Sequence, residues 1–399
     1  MCYTLIWVAP QKFIIAFVPL REVEGRKLFL LSQNKNKEDN MKTQSFNEIE
    51  NLTKEYSMIP ICKEIYADVI TPIQLLRKME AFDKNFFLLE SVEGGEKWAR
   101  YSFLGYEPVL HITCKNGKVT QKSGEIEHTV TVDPMDALRQ LLHKYKSPKI
   151  EGMPTFTGGF VGYFGYEMIG YAEPKLNIKD SEFDDYNLML FDKVIVYDHL
   201  KQKIMVIANM KSKDGIQGYN TALLEIEKMI ALINDQRKLP VLEADKDVKF
   251  KCNVTKEEYC RMIEKTKHYI KEGDIFQGVI SRRFVADYKS SLIIAYRVLR
   301  TTNPSPYMYF IQSDDLQIAG ASPETMVKLV DGKLTTFPVA GTRPRGITDE
   351  QDIALEKELL ADEKELAEHN MLVDLARNDM GRIAKYGSVY LEDYMKIHR

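Results

Sequence analysis

Apolar positions recur along this chain with two periods, and the period predicts the element. At helical spacing they cover Ser45 to about Tyr56, Thr71 to Lys78, Thr221 to Asn234 and Thr255 to Glu272. Thr71 stands as an N-cap with Pro72 at the first helical position, and Thr255 opens a helix that Gly273 closes. The acidic stretch from Thr348 to about Arg377 reads as one long helix that begins with a Thr348–Gln351 capping box. Short apolar runs at Asn85–Leu89, Arg100–Leu104, Val109–Cys114, Lys193–Tyr197 and Ile275–Phe284 predict strands. Leu316–Gly320 and Glu324–Leu329 read as a strand pair. Helix and strand interleave without a regular βαβ period, so the predicted class is a mixed α/β (α+β) layered architecture and not a doubly wound parallel sheet.

The charged, Pro-containing stretch Asp235–Lys249 is the best boundary in the chain, dividing an amino-terminal domain (41–240) from a carboxyl-terminal one (250–399). Met1 to about Leu20 is apolar, but Gln11 and Lys12 interrupt it and it lacks a basic n-region. It also falls short of the roughly 18 consecutive apolar residues that a membrane span needs. A polar run, Ser32–Asn40, leads to Met41, where an amphipathic pattern begins. Residues 1–40 are therefore expected to be a leader outside the fold.

A net charge of −3 and 28% charged residues give no broad basic field, which argues against nucleic-acid binding. The five cysteines are odd in number and contain no C-x-x-C, which speaks against a disulfide framework or a thiolate zinc site and fits a reducing cytoplasm.

Three segments could carry chemistry. Glu365 and Glu368 stand three apart, on one helical face, where like charges repel. A bound divalent cation would relieve that repulsion, and oxygen-only ligands favour magnesium, but a solvated acidic face accounts for the spacing more simply. The turn-rich segment Thr335–Gly346 (TTFPVAGTRPRG) could hold a small anionic ligand on the backbone amides of Gly341 and Thr342 and on the Thr342 hydroxyl. Arg343 and Arg345 could equally pair with the acidic helix that follows. The glycine-rich run Thr157–Tyr166 lacks the context of a phosphate loop and reads as a tightly packed sheet edge. No cysteine sits in the G-x-C-x-G setting of a glutaminase nucleophile, so nitrogen drawn from glutamine would need another polypeptide.

Taken in order, Gly273–Phe284 (GDIFQGVISRRF), Pro304–Phe310 (PSPYMYF), Gly320–Glu324 (GASPE), Pro338–Gly346 (PVAGTRPRG) and Lys364–Arg382 (KELAEHNMLVDLARNDMGR) resemble the chorismate-utilising enzymes. Upstream, Leu88–Ser91 (LLES) and Arg100–Gly105 (RYSFLG) resemble the amino-terminal half of anthranilate and aminodeoxychorismate synthases. The resemblance runs from about Met41 to the last residue. It implies the family's layered sandwich of mixed sheets flanked by helices.

It also implies roles. Relatives that add water to chorismate carry a lysine base where this chain has Gln277, and the similar aminodeoxychorismate synthases carry a capturing lysine where it has Ala340. Direct attack of ammonia, as in the anthranilate-forming branch, is the route that these two residues leave; aminodeoxychorismate formation is the alternative. By the resemblance, Glu324, Glu365 and Thr342 are the catalytic residues, Glu324 as general acid and Glu365 in support of the metal site, while Glu368 ligates Mg2+ and Gly341 and Thr342 contact chorismate. Ser91, Pro306, Tyr307 and Met308 line a site for the feedback inhibitor tryptophan. A glutamine amidotransferase subunit supplies ammonia, which makes a hetero-oligomer the expected state. Gly278 replaces a bulkier residue and is expected to loosen its strand. In the family a Tyr-Ser-His segment follows the position of Arg399, and later segments add a second metal carboxylate. Little or no turnover is thus expected from this stretch of chain, and a remnant that binds tryptophan or a partner is a further alternative.

Overall fold

The structure is a computed structural model that describes residues 4–7, 13–19, 43–91, 100–179 and 181–398. Strands β1 (Thr4–Trp7) and β2 (Phe13–Pro19) come first, then the short helix α1 (Phe46–Ile49) with a 3-10 turn at Glu50–Lys54. There follow β3 (Met58–Tyr66), α2 (Pro72–Glu80), β4 (Asn85–Glu90), β5 (Tyr101–Tyr106), β6 (Leu110–Lys115), β7 (Lys118–Ser123), β8 (Ile126–Thr131) and α3 (Pro134–Lys144). Next are β9 (Gly159–Gly165), α4 (Ile169–Ala172), β10 (Tyr186–Phe191), β11 (Lys193–Asp198), β12 (Lys203–Lys211) and the long helix α5 (Gly215–Asn234). After an irregular stretch come β13 (Lys251–Cys252), α6 (Lys256–Glu272), β14 (Phe284–Val285) and α7 (Leu292–Thr302). The last elements are β15 (Tyr307–Ser313), β16 (Leu316–Ser322), β17 (Thr325–Val330), β18 (Lys333–Thr335), α8 (Asp349–Ala361) and α9 (Glu363–Gly381).

Two antiparallel sheets dominate. A nine-stranded sheet runs β18-β17-β1-β2-β9-β10-β6-β7-β8, and a seven-stranded sheet runs β16-β15-β4-β5-β11-β12-β3. Interior strands such as β4, β10, β11 and β15 are buried on both faces because both faces are covered, whereas β7 and β8 at one edge are largely polar and exposed. In β10, Met189 and Phe191 enter the core between the sheets with Phe87, Val161 and Tyr309, while Tyr186, Leu188 and Leu190 enter an outer core under α3. In β15, Phe310 and Met308 pack toward α2, α5 and α7, and Tyr309 and Ile311 face the other sheet. Each fully buried large apolar side chain contributes about 1.5–3 kcal/mol, so four layers, helix, sheet, sheet and helix, follow from the two-sided burial.

Several expectations are met in detail. Thr71 caps α2, its hydroxyl accepting the Gln74 N–H at 3.3 Å. Thr255 caps α6 in a reciprocal box with Glu258, and Gly273 ends that helix at φ +83°. Others are corrected. Residues expected to form a leader outside the fold supply β1 and β2, whose β-rich runs TLIW and FIIAFVP find ladder partners in β17 and β9. Ser32–Asn40 and Met41 lie outside the described residues. Leu316–Gly320 and Glu324–Leu329 do not pair with each other. Pro323, without an N–H to donate, breaks the ladder, β16 pairs with β15, and β17 crosses to the other sheet.

Of the strand expected over Ile275–Phe284, the described backbone keeps only the two-residue ladder of β14 with β13. Gly278 is held against α6, where a Cβ would meet Thr266 Cγ2 at 2.5 Å, so its small size serves that approach and loosens no strand. The acidic helix is two helices, because Asp362 takes a non-helical ψ of 104° and its carboxylate caps α9. The glycine-rich β9 is an interior strand, not an edge; a Cβ on Gly162 would stand 2.0 Å from the Asn187 carbonyl oxygen. The expected boundary does fall in irregular chain, but it does not divide the sheets: β15 pairs with β4, and β16 extends the same sheet.

Candidate active site

Where β16 hands over to β17, the Glu324 N–H donates to Ser322 Oγ at 3.3 Å, tightening a turn that leaves the Glu324 side chain half-buried. Burial pushes its carboxyl above the ordinary glutamate range, and a hydrogen bond from the Val339 backbone N–H opposes that push. Glu324 is thereby tied to the segment that carries Gly341 and Thr342.

Gly341 adopts φ +77°, which favours glycine, and an added Cβ would lie 3.2 Å from Glu365 Oε2 and 3.0 Å from Leu359 Cδ1. The two arginines of this loop take the structural option that the sequence left open. Arg345 binds the largely buried Asp352 through Nε at 2.9 Å and Nη2 at 2.6 Å. Arg343 donates to Glu358 and Asp362, both at 2.8 Å. The Thr342 carbonyl accepts from Arg343 Nη1 at 3.1 Å.

Glu365 and Glu368 lie one turn apart near the start of α9, each partly exposed. From the segment after α6, Gln277 Nε2 donates to Glu368 Oε1 at 3.1 Å. The structure therefore brings together Glu324 with Val339, Gly341 with Glu365, and Gln277 with Glu368. Among the described residues no cluster of three or more His, Cys, Asp or Glu side chains is arranged to hold a metal. The donors available are hard carboxylate oxygens, which fits an ion such as magnesium that keeps several waters and takes one or two carboxylates beside a ligand oxygen.

The residues expected to bind an inhibitor gather at one end of the seven-stranded sheet. Ser91 follows β4, Met308 stands opposite Glu90, and Tyr307 opposite Ser322. Met308 is only 1% exposed and packs in the helix-facing core, so its side chain supports this end of the sheet from within. The Tyr307 hydroxyl bonds Thr325 Oγ1, next to Glu324. Sequence reasoning passed over Glu90. Its buried carboxylate accepts from Tyr296 OH at 2.7 Å and Arg300 Nη2 at 3.0 Å, both from α7, and Ser102 Oγ, 3.5 Å away, also meets His199 Nε2 at 2.7 Å. A glutamate inside an otherwise apolar strand, NFFLLE, was the available signal.

Burial pushes the Cys62 thiol up to about 12 and the Cys114 thiol up to about 11, so neither is a thiolate at neutral pH. Among the described residues no helix is long and apolar enough to cross a membrane.

Residues 84–399 match the chorismate binding enzyme family, and the chain belongs to it. Relatives that it is similar to include anthranilate synthase component 1 chains. That of Acetivibrio thermocellus is 42% identical over 366 residues, spanning 89% of this chain and 74% of its own. That of Aquifex aeolicus is 40% identical over 372 residues, spanning 89% and 73%. The crystal structure of anthranilate synthase component I from Streptococcus pneumoniae superimposes with a TM-score of 0.67 at 33% identity, covering 84% of this chain and 72% of that one.

Proposed function

We infer that this chain is the aminating component of an anthranilate synthase, converting chorismate and ammonia to anthranilate and pyruvate. The observation that carries this reading is the 42% identity to a component 1 chain over 89% of the length, joined to two positions without an amine. Gln277, an amide engaged with Glu368, is no base for water. Ala340 offers no nucleophile toward the ring. Ammonia needs neither.

In this reading the Gly341 and Thr342 backbone and the Thr342 hydroxyl hold polar groups of chorismate. Glu324, whose carboxyl burial raises above the ordinary glutamate range, gives its proton to the departing ring hydroxyl as ammonia adds. Glu368 ligates magnesium and Glu365 supports it. When bound, magnesium would neutralise the substrate carboxylate and make the ring a better electrophile. That no cysteine stands in the G-x-C-x-G setting of a glutaminase nucleophile supports supply of ammonia by a separate glutamine amidotransferase subunit, hence a hetero-oligomer. The four cysteines among the described residues are all without a disulfide, which supports a cytoplasmic setting. Tryptophan would bind near Ser91, Pro306 and Tyr307 and restrain the reaction; Tyr307 and Thr325 link that end of the sheet to the Glu324 turn.

The test supplies chorismate, magnesium and excess ammonium at high protein concentration, so that slow turnover is still read. Anthranilate fluorescence with equimolar pyruvate supports the proposal. Aminodeoxychorismate without pyruvate would replace it with the sister activity.

A further inference from the structure

Arg343 follows Gly341 and Thr342, the residues proposed to hold chorismate, and would ordinarily be taken for the cation that binds a carboxylate. Its charge is already used. Nε donates to Glu358, Nη2 to Asp362 Oδ2 at 2.8 Å, and Nη1 to the carbonyl of Thr342 at 3.1 Å. The other oxygen of Asp362, Oδ1, accepts the N–H groups of Lys364 and Glu365 at 3.1 and 3.2 Å. Glu365 in turn lies against Gly341. Gly341, Thr342, Arg343, Asp362 and Glu365 thus close a ring in which every link is a covalent bond, a hydrogen bond or a packing contact.

We propose that Asp362 and Arg343 are a positioning pair that sets the separation between the Gly341–Thr342 loop and the carboxylates of Glu365 and Glu368. A planar guanidinium is suited to this because it fixes three acceptors at once in one plane, which an ammonium on a flexible stem does not. The aspartate is suited because one oxygen fixes the start of α9, and hence the azimuth of Glu365 and Glu368, while the other fixes the loop. The break between α8 and α9 is required by this arrangement: a continuous helix would place residue 362 inside the helical ladder, with no free N–H groups to cap.

The proposal rests on the assignment of Glu368 as a metal carboxylate, and the test separates the two. The probe is Mn2+, titrated into the chain with saturating chorismate and read by electron paramagnetic resonance, with thermal unfolding recorded for each variant. Asp362→Asn keeps a good cap but loses the ion pair, and Arg343→Lys keeps the charge but loses the fork. Each should weaken Mn2+ binding about tenfold with little change in thermal midpoint, as outer partners of metal ligands do. The double variant should be no weaker than the worse single one. Wild-type affinity in both single variants, or strictly additive losses in the double, would overturn the positioning pair, provided that Glu368→Gln abolishes binding. Unchanged affinity in Glu368→Gln would instead overturn the metal assignment on which the proposal stands.

Discussion

Glu324 carries the sharpest consequences for a single residue. Its folded-state carboxyl titrates above the ordinary value, so the folded state loses stability as the pH rises from the ordinary glutamate value through that raised one, and regains it on protonation. Glu324→Gln should abolish amination while sparing magnesium-dependent chorismate binding, and thermal unfolding should show it at least as stable as the parent at pH 8, the difference shrinking toward acid pH. Unchanged turnover would remove Glu324 from the mechanism. The wild-type rate should fall as the pH rises through the same raised value. Tyr309 offers an opposite case: it is fully buried and, among the described residues, its hydroxyl has no hydrogen-bond partner. An unpaired buried hydroxyl costs about 1–3 kcal/mol, so Tyr309→Phe is expected to be neutral or stabilising in chemical denaturation, and a clear loss would mean that the hydroxyl is satisfied after all. Neither environment was visible in the sequence. The motif containing Glu324 could be read, but its burial depends on Val339, and the fate of Tyr309 depends on Gly320, where a Cβ would stand 2.1 Å from that hydroxyl.

Among the elements, α7 and β4 are joined through charge as well as packing. Glu90 is held by Tyr296 and Arg300, and removing Arg300 leaves a buried carboxylate without its counter-ion. Arg300→Ala should destabilise the chain by about 3 kcal/mol in urea unfolding, and adding Glu90→Gln should recover part of the loss. A cost near zero would show that Tyr296 and Ser102 suffice. Ser91, one residue past Glu90, lies at the end of the sheet where the inhibitor is proposed to bind. Ser91→Phe should relieve tryptophan inhibition without lowering the uninhibited rate, and retained sensitivity would count against that site. Helices with a capping residue and one apolar face, α2 and α6 above all, were legible because their signals are local. The strand expected at Ile275–Phe284 failed because alternation shows only that a segment could join a ladder, and most of this one has no ladder beside it. The partition of β16 and β17 between two sheets turned on Pro323, a local signal that alternation on either side had obscured.

At the scale of the molecule, the two parts separated by the irregular stretch near residues 235–250 share a sheet. β15 lies between β4 and β16, so the carboxyl-terminal part contributes an interior strand to the sheet built by the amino-terminal part. A protease that cuts near the exposed Val241 should therefore leave two fragments that co-elute in size-exclusion chromatography. Fragments that separate without denaturant would mean that the shared sheet contributes little. Composition and a charged stretch pointed to a boundary there, yet they carry no information about which strands pair across it; that is fixed by long-range register.

The same pairing has a consequence in time. Leu89 faces Tyr309 across the ladder, at positions 220 apart. At elongation rates of about 5–20 residues per second, roughly 10–45 s pass between the synthesis of β4 and that of its neighbour β15. Throughout that interval the edge of β4 that β15 covers in the fold lacks its ladder partner, whereas β5, the partner of its other edge, is made soon after β4. The nascent chain thus exposes this strand edge early and covers it late, so its soluble yield in the cell is expected to respond to translation speed and to chaperone supply.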